Sequence, residues 1–280
     1  MKNTFQKLKN IAIGLAIIPV LALSLNAKDK NSIDTIKEQG KVRIGVFSDK
    51  APFGYLDSNG KHQGFDIVLA KRLTKELLGD ENKVEFINLE AANRVEYLVT
   101  NKVDIVLANF TVTPERAKKV DFANPYMKVA IGVVSANSEP IKKVEDLKGK
   151  KLIVTKGTTA DVYFTKNHPE IETLSFDHNS ESFAALKDKR GAALTHDNTL
   201  LFAWAKQNEG FEVGIDTLGP LDTIAPAVKK GNKDLLLWIN KTLEKLGEEK
   251  FIENAYNETL KPIYGDSVKI ESVIIEGGKL

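Results

Sequence analysis

The residues best suited to bind a small anion follow the predicted strand Val103–Ala108. There Thr111 and Arg116 lie in the segment Thr-Val-Thr-Pro-Glu-Arg. The planar guanidinium of Arg116 can hold a carboxylate through two parallel hydrogen bonds, and the alternative is a surface ion pair. Thr113 and Pro114 have the pattern of a helix N-cap followed by proline, so we expect Thr113 to be structural.

Two further polar groups follow predicted strands in the second half of the chain. The segment Gly157-Thr158-Thr159 opens a predicted helix, so it is either an anion site built from first-turn amides or a simple helix start. Asp197 follows the strand Ala192–Thr195 and either binds a cation or caps the helix that begins at Asn198. We expect His196 to pack rather than to contact a ligand.

These groups belong to two successive runs of alternating strands and helices, which predict two α/β units with mainly parallel sheets. The predicted strands of the first run are Lys41–Phe47, Val84–Leu89 and Val103–Ala108, and those of the second are Leu152–Val154, Thr173–Phe176 and Ala192–Thr195. Two extended apolar segments, Val129–Ser135 and Ala225–Lys230, predict crossovers that act as a hinge. Since parallel sheets bind ligands at the carboxyl ends of their strands, we expect the site in the cleft between the units.

The first 27 residues have the pattern of a cleaved signal peptide. Three lysines precede an apolar run of about 15 residues, short of the roughly 20 that cross a bilayer, and the small Ala27 marks the cleavage site. No cysteine stands at that site, so we expect no lipid anchor. These features predict a diffusible protein of a Gram-negative periplasm.

Composition excludes several functions. The 40 basic and 38 acidic residues are interleaved, which argues against a nucleic-acid partner. The chain has no cysteine, and its four histidines lack metal-ligand spacing, so we expect neither metal nor cofactor.

The order of these motifs resembles that of polar amino-acid-binding proteins of ABC importers, the family 3 solute-binding proteins. The shared segments are Gly64–Ile67, Asn109–Arg116, Asp121–Phe122, Pro125–Tyr126, Val144–Lys150, Lys156–Thr159 and His196–Asp197. Within that family the chain is most similar to the cysteine-binding receptors of epsilon-proteobacterial type. That similarity lies in Phe53–Tyr55, Glu90–Arg94, Ala108–Thr111 and Ala193–Trp204.

The resemblance implies a two-lobe periplasmic-binding-protein type II fold with two hinge crossovers. Lobe 1 would comprise residues 28–128 with 224–280, and lobe 2 residues 129–223. It implies a non-enzymatic, monomeric receptor that captures an L-amino acid, with L-cysteine favoured, and delivers it to an ABC permease in the inner membrane.

The resemblance also implies a role for each candidate residue. Arg116, Thr111 and Thr159, with the amides around Thr158, would bind the ligand carboxylate. Asp197 and the Asn109 carbonyl would bind its ammonium. Phe65, Phe47 and Arg94 would line the side-chain pocket, which Lys50 helps to shape.

Three alternatives stay open at this stage. A dehydratase-type enzyme on the same fold would need a further general acid or base, for which only Lys50, Lys156 and His196 are unassigned. Arg94 matches a position that binds side-chain carboxylates in relatives, so the ligand could be aspartate or glutamate. A sensor or adhesin domain would share the whole pocket.

Overall fold

The computed structural model describes residues 31–279 as an α/β protein built on two five-stranded sheets and a small three-stranded one. The strands are β1 Val42–Val46, β2 Asp49–Lys50, β3 Gly54–Leu56, β4 His62–Gln63, β5 Val84–Asn88, β6 Ile105–Val106, β7 Val120–Phe122, β8 Met127–Ala136, β9 Leu152–Thr155, β10 Thr173–Phe176, β11 Ala193–Asp197, β12 Phe211–Ile224 and β13 Ala227–Lys229. The α-helices are α1 Ile33–Gln39, α2 Phe65–Leu78, α3 Arg94–Val99, α4 Pro114–Ala117, α5 Thr159–Asn167, α6 Asn179–Lys187, α7 Asn198–Gln207, α8 Lys233–Glu248, α9 Phe251–Thr259 and α10 Lys261–Tyr264.

The first sheet has the strand order β5-β1-β6-β13-β7, in which β5, β1 and β6 are parallel. The second has the order β10-β9-β11-β8-β12, with β10, β9 and β11 parallel. The remaining pairings in both sheets are antiparallel. The α/β class is therefore confirmed, but each sheet is mixed because the connecting strands run back along the parallel set.

The chain passes between the sheets twice. The first passage, β8, extends the predicted Val129–Ser135 at both ends. The second is β12, which pairs with β8 and ends at Ile224, where it bonds to Thr111 and Tyr126 near the first sheet. The predicted second crossover, Ala225–Lys230, was wrong in position, because β13 within it is an internal strand of the first sheet.

The small sheet is a hairpin-like unit that follows β1 at its carboxyl end. Its first strand, β2, consists of Asp49 and Lys50 and pairs with β3. The unit packs against the start of α2, because the Phe65 and Asp66 amides donate to the Pro52 and Phe53 carbonyls. This anchorage holds Lys50 at the edge of the first sheet that faces the second.

Buried aliphatic and aromatic side chains fill both faces of each sheet, as expected for strands covered by helices on both sides. Across residues 31–279 no helix combines the length and apolar character needed to cross a bilayer. The predicted signal peptide lies outside the described residues.

Candidate functional site

Arg116 joins the two sheets at the cleft between them. It lies in α4, whose N-cap Thr113 accepts the Arg116 amide at 3.2 Å, as the sequence predicted. Its guanidinium donates to the Thr111 carbonyl at 2.7 Å and to the Gly157 carbonyl at 2.9 Å, so it contacts residues from both halves of the chain. Burial lowers the pKa of Arg116 to about 10, which leaves it cationic at neutral pH.

Arg94, at the start of α3, is a second buried cation beside Arg116. Within residues 31–279, its hydrogen bonds go to backbone carbonyls: Ala91, Ala108 and Asn109 in the first half of the chain, and Gly157 across the cleft. Burial, and then the charge of Arg116, lower its pKa well below the ordinary value. Arginine nevertheless stays protonated in proteins, so Arg94 is a cation with no carboxylate among its hydrogen-bond partners.

Both guanidinium groups pack against one aromatic ring. Their central carbons lie 4.5 Å and 4.8 Å from the centre of Phe110, for Arg94 and Arg116 respectively. Such cation–π contacts stabilise buried cations and also fix the plane of each guanidinium. The ring therefore orients two donors toward the same place, the Gly157 carbonyl.

Gly157 brings the backbone of the second lobe into contact with the first. Its φ of +75° is in the left-handed region, and a Cβ added there would lie 2.5 Å from the Ala92 Cα. Only glycine therefore permits this approach.

Lys50 links the two halves of the chain through a buried ion pair. Its ammonium is 2.6 Å from the Asp197 carboxylate and 2.6 Å from the side-chain carbonyl of Asn109, and its side chain is 1% exposed. Burial lowers the pKa of Lys50, although the Asp197 charge offsets part of that effect. Burial alone would raise the pKa of Asp197, but the neighbouring Lys50 outweighs it and holds the pKa well below its ordinary value. Asp197 is therefore ionised at neutral pH, and its 2.6 Å contact makes it the counter-ion of the Lys50 ammonium.

Asp197 occupies the N-cap position of α7 but makes no capping hydrogen bond with its side chain. The carboxylate points instead to Lys50, which argues against the capping role that the sequence left open. His196 accepts the Asp197 amide at Nδ1, 2.7 Å away, so its Nε2 carries the proton and faces the Asn179 carbonyl oxygen at 3.0 Å. Burial lowers the pKa of His196, and its neutral ring serves to fix the Asp197 backbone.

Asp66 extends this network into the first sheet. Its carboxylate accepts the Tyr126 hydroxyl at 2.7 Å and the Asn109 amide at 2.8 Å. Asn109 has a positive φ of 45°, a conformation that asparagine tolerates better than most residues. Burial raises the pKa of Asp66 to about 7 despite these hydrogen bonds. Asp66 thereby holds the Asn109 loop in the geometry that presents it to Lys50.

The two threonines after Gly157 have different environments. Thr158 caps α5, because its hydroxyl accepts the Asp161 amide at 3.1 Å and donates to the Thr155 carbonyl at 2.8 Å. Thr159 begins α5, where first-turn amides have no acceptor within the helix. Thr159 also lines a cavity of about 450 Å³ with Arg116 and Gly157. The anion-binding potential of this segment is therefore greatest at Thr159.

The two predicted aromatic residues lie on either side of Lys50's hairpin. Phe47 is 2% exposed, and its ring centre lies 5.3 Å from the Lys50 ammonium. Phe65 is fully buried at the start of α2 and packs against Tyr126. Phe47 thus faces the buried charges, whereas Phe65 belongs to the large core.

The structure thus brings the predicted residues to one region, and it adds three that the sequence did not assign to the site: Asp66, the Gly157 carbonyl and Asp49. The Asp49 carboxylate accepts from the Asn179 side chain and from the Ser180 amide across the cleft. A larger cavity of about 730 Å³ lies between α7 and residues 267–272, and none of the predicted site residues lines it.

Comparison with known proteins defines the class. The model of the bacterial extracellular solute-binding proteins, family 3, matches residues 42–261. The chain belongs to this family and is a solute-binding receptor.

Two solved structures are similar along almost their whole length. One is a cysteine-binding protein of Campylobacter jejuni, 61% identical, with a TM-score of 0.86 and coverage of 87% of this chain and 98% of that one. The other is a solute receptor for L-cysteine of Neisseria gonorrhoeae, 58% identical, also with a TM-score of 0.86, covering 88% and 100%. Among curated relatives, the ABC transporter glutamine-binding protein of Bacillus subtilis is 34% identical over 83% of this chain and 85% of its own. These similarities confirm the two-lobe fold.

Proposed function

We propose that this protein is the periplasmic receptor that binds L-cysteine between its two lobes and delivers it to an ABC importer. The observation that carries the proposal is the meeting of Arg116 and Asp197, from opposite sheets, in one buried polar network. A free amino acid presents a carboxylate and an ammonium, and both need buried partners of opposite charge. The network offers both.

The carboxylate site consists of Arg116 and Thr159, with Thr111 beside them. Arg116 supplies a guanidinium fork, and the first turn of α5 supplies amides with a favourable helix dipole. The two groups belong to opposite lobes, so a ligand carboxylate placed here bridges the cleft. The proposal keeps Thr158 as the helix cap, because its hydroxyl already has two partners.

The ammonium site consists of Asp197, an ionised carboxylate that is 4% exposed. One of its oxygens holds Lys50, and a carboxylate has further lone pairs for a second donor. The Asn109 carbonyl accepts Arg94 and, with its second lone pair, can also accept the ligand ammonium. The ligand side chain would then extend toward Phe47 and Lys50.

L-cysteine is favoured over an acidic amino acid for two reasons. Two proteins that bind cysteine share 58% and 61% of their residues with this chain, whereas the glutamine-binding relative shares 34%. Arg94, the candidate partner for a side-chain carboxylate, has its donors on backbone carbonyls. A glutamate or aspartate carboxylate would have to displace these bonds.

The remaining parts of the proposal carry over the expectations from the sequence and from the family resemblance. The receptor acts as a monomer in the periplasm after removal of residues 1–27, without a lipid anchor. Lobe 1 comprises residues 28–128 with 224–280, lobe 2 residues 129–223, and an inner-membrane permease accepts the ligand from the cleft.

Mass spectrometry of released ligand tests the proposal. The mature protein is incubated with an equimolar mixture of the common amino acids under reducing conditions, desalted and denatured. Enrichment of cysteine over every other amino acid is expected. If aspartate or glutamate were enriched instead, that amino acid would be the ligand and the cysteine proposal would be wrong. If no amino acid were enriched, the assignment as an amino-acid receptor would be wrong.

A further inference from the structure

Lys50 is a buried cation that the binding of an amino-acid backbone does not require. The backbone carboxylate has Arg116 and Thr159, and the ammonium has Asp197. Lysine is rarely buried in proteins, and desolvating its charge is costly unless a specific interaction compensates. Its place beside the Phe47 ring, in the wall next to Asp197, points to a role toward the ligand side chain.

The charges around Lys50 leave an excess of cations. Lys50 and Arg94 are buried and positive, Arg116 is a half-buried cation, and Asp197 is the buried carboxylate that stays ionised. Asp66 titrates near neutral pH, with a pKa of about 7. A zwitterionic ligand backbone adds one charge of each sign, so it does not change this balance. A negative side chain would.

Asp49, next to Lys50 in β2, turns its carboxylate to Ser180, and two more titratable groups, His196 and Asp222, face this region. His196 packs against Asp197, and burial lowers its pKa, so it adds no charge at neutral pH. Asp222 lines the cavity beside Arg116, and burial, then Asp197, raise its pKa. His196 is therefore not an anion, and Asp222 lies beside Arg116 rather than beside Lys50.

The proposed backbone anchors would place the ligand sulfur near Lys50. Cysteine carries its sulfur on the carbon next to the one that bears the ammonium. A ligand ammonium bound to the Asp197 carboxylate therefore places the sulfur close to the other groups that contact this carboxylate. One of these is Lys50, whose ammonium is 2.6 Å from the Asp197 carboxylate. A lysine ammonium is a compact point charge, which suits a single-atom anion better than the planar carboxylate that arginine prefers.

We propose that Lys50 is the specificity-determining residue of the side-chain pocket and that it holds bound L-cysteine as its thiolate. This inference rests on the proposed function. On binding, the S–H bond breaks, the electron pair stays on sulfur, and the proton leaves to solvent. The same charge repels the cationic side chains of arginine, lysine and histidine.

A thiolate beside Lys50 lowers the free energy of the site through direct charge pairing in a dry environment. A thiol of ordinary pKa, about 8.5, is mostly protonated at neutral pH, so binding releases a proton. The affinity for L-cysteine should therefore increase as the pH rises toward the ordinary pKa of the thiol.

Calorimetric titration near pH 7 in two buffers of different ionisation enthalpy measures this proton release. L-cysteine should release close to one more proton per ligand than S-methyl-L-cysteine or L-serine. These controls share the backbone but have no thiol, so they account for protons exchanged by Asp66 and the other protein groups. The bound L-cysteine should also show the ultraviolet absorbance of a thiolate.

Two variants separate charge from shape. Lys50→Gln keeps a polar side chain without the charge and should lose the extra proton, the thiolate absorbance and at least about tenfold in affinity for L-cysteine, or about 1.4 kcal/mol. Lys50→Arg keeps the charge and should retain the extra proton release.

The wild-type measurement stands even if a variant fails to fold. Equal proton release by L-cysteine and S-methyl-L-cysteine, without thiolate absorbance, would overturn the inference while leaving the cysteine receptor intact. Absence of L-cysteine binding to the wild-type protein would instead refute the proposed function itself.

Discussion

Asp49 of the first lobe caps a helix of the second through Ser180. Its carboxylate accepts the Ser180 amide at 3.2 Å and the Asn179 side chain at 2.9 Å, at the first turn of α6. The local N-cap residue, His178, makes no side-chain capping bond. The helix thus takes its capping carboxylate from across the cleft, in a contact that requires the two lobes to be close.

Replacing Asp49 with alanine should weaken ligand binding, although Asp49 is not among the residues proposed to contact the ligand. A helix cap contributes about 0.5–2 kcal/mol, and its loss from the closed arrangement alone lowers affinity roughly 2- to 30-fold. Calorimetry on Asp49→Ala measures the effect. Asp188→Ala, an exposed change at the far end of α6, is the matched control and should bind as the wild type does. Equal affinity of the two variants would show that the cap does not favour closure.

Gly157→Ala should hinder the approach of the lobes. The new Cβ would meet the Ala92 backbone at 2.5 Å, and such overpacking costs about 1–3 kcal/mol, or roughly 5- to 150-fold in affinity. Gly149→Ala is the control, because Gly149 also has a positive φ, +73°, but nothing within 4 Å of its added Cβ. Small-angle scattering with saturating ligand should show a larger radius for Gly157→Ala only. Similar compaction of both variants would contradict the assigned contact.

Arg116→Ala should abolish measurable amino-acid binding while the protein still folds. Removing one member of a buried charge pair costs about 2–5 kcal/mol, which is tens- to thousands-fold in affinity. Arg190→Ala, at an exposed arginine of the second lobe, should leave affinity unchanged. An affinity of Arg116→Ala within about threefold of the wild type, a difference below 1 kcal/mol, would remove Arg116 from the carboxylate site.

Asp66 should make the protein less stable as the pH rises from about 4 to about 7. Burial raises its folded-state pKa from 3.8 to about 7, so in this interval the unfolded chain ionises Asp66 while the folded protein keeps it protonated. The folded state binds more protons there, and the free energy of unfolding falls with pH. Below the interval both states are protonated, and this contribution is constant.

Asp66→Asn tests that contribution, because asparagine stays neutral and can still accept the Asn109 amide. Urea unfolding at pH 5 and pH 8 should show a smaller loss of stability in the variant than in the wild type. Parallel losses in the two proteins would show that Asp66 ionises as easily in the folded state as in the unfolded one.

The proposed anchors of the site were accessible from sequence, because each follows a strand and combines a residue type with a local pattern. Arg116 lies after Thr-Pro-Glu, and Asp197 ends a strand that the alternation of elements had already located. Lys50 was assigned only a shaping role, since its burial depends on Asn109 and Asp197, which lie 59 and 147 residues away in the chain. No local pattern encodes such a contact.

The position of the second crossover was also beyond what local sequence patterns could predict. The long strand β12 contains Gly219 and Pro220, residues that normally disfavour a strand, and its pairing with β8 has several register shifts. Its burial is irregular, so it lacks the alternation that reveals a strand. The short apolar segment after it, Ala225–Lys230, gave a clearer signal and was mistaken for the crossover.

Competitive calorimetric titration under reducing conditions is the most direct test of the account. L-cysteine should bind at least about tenfold tighter than serine, aspartate, glutamine or histidine, a difference of about 1.4 kcal/mol or more. Tighter binding of aspartate or glutamate would contradict the account and would assign Arg94 to a side-chain carboxylate.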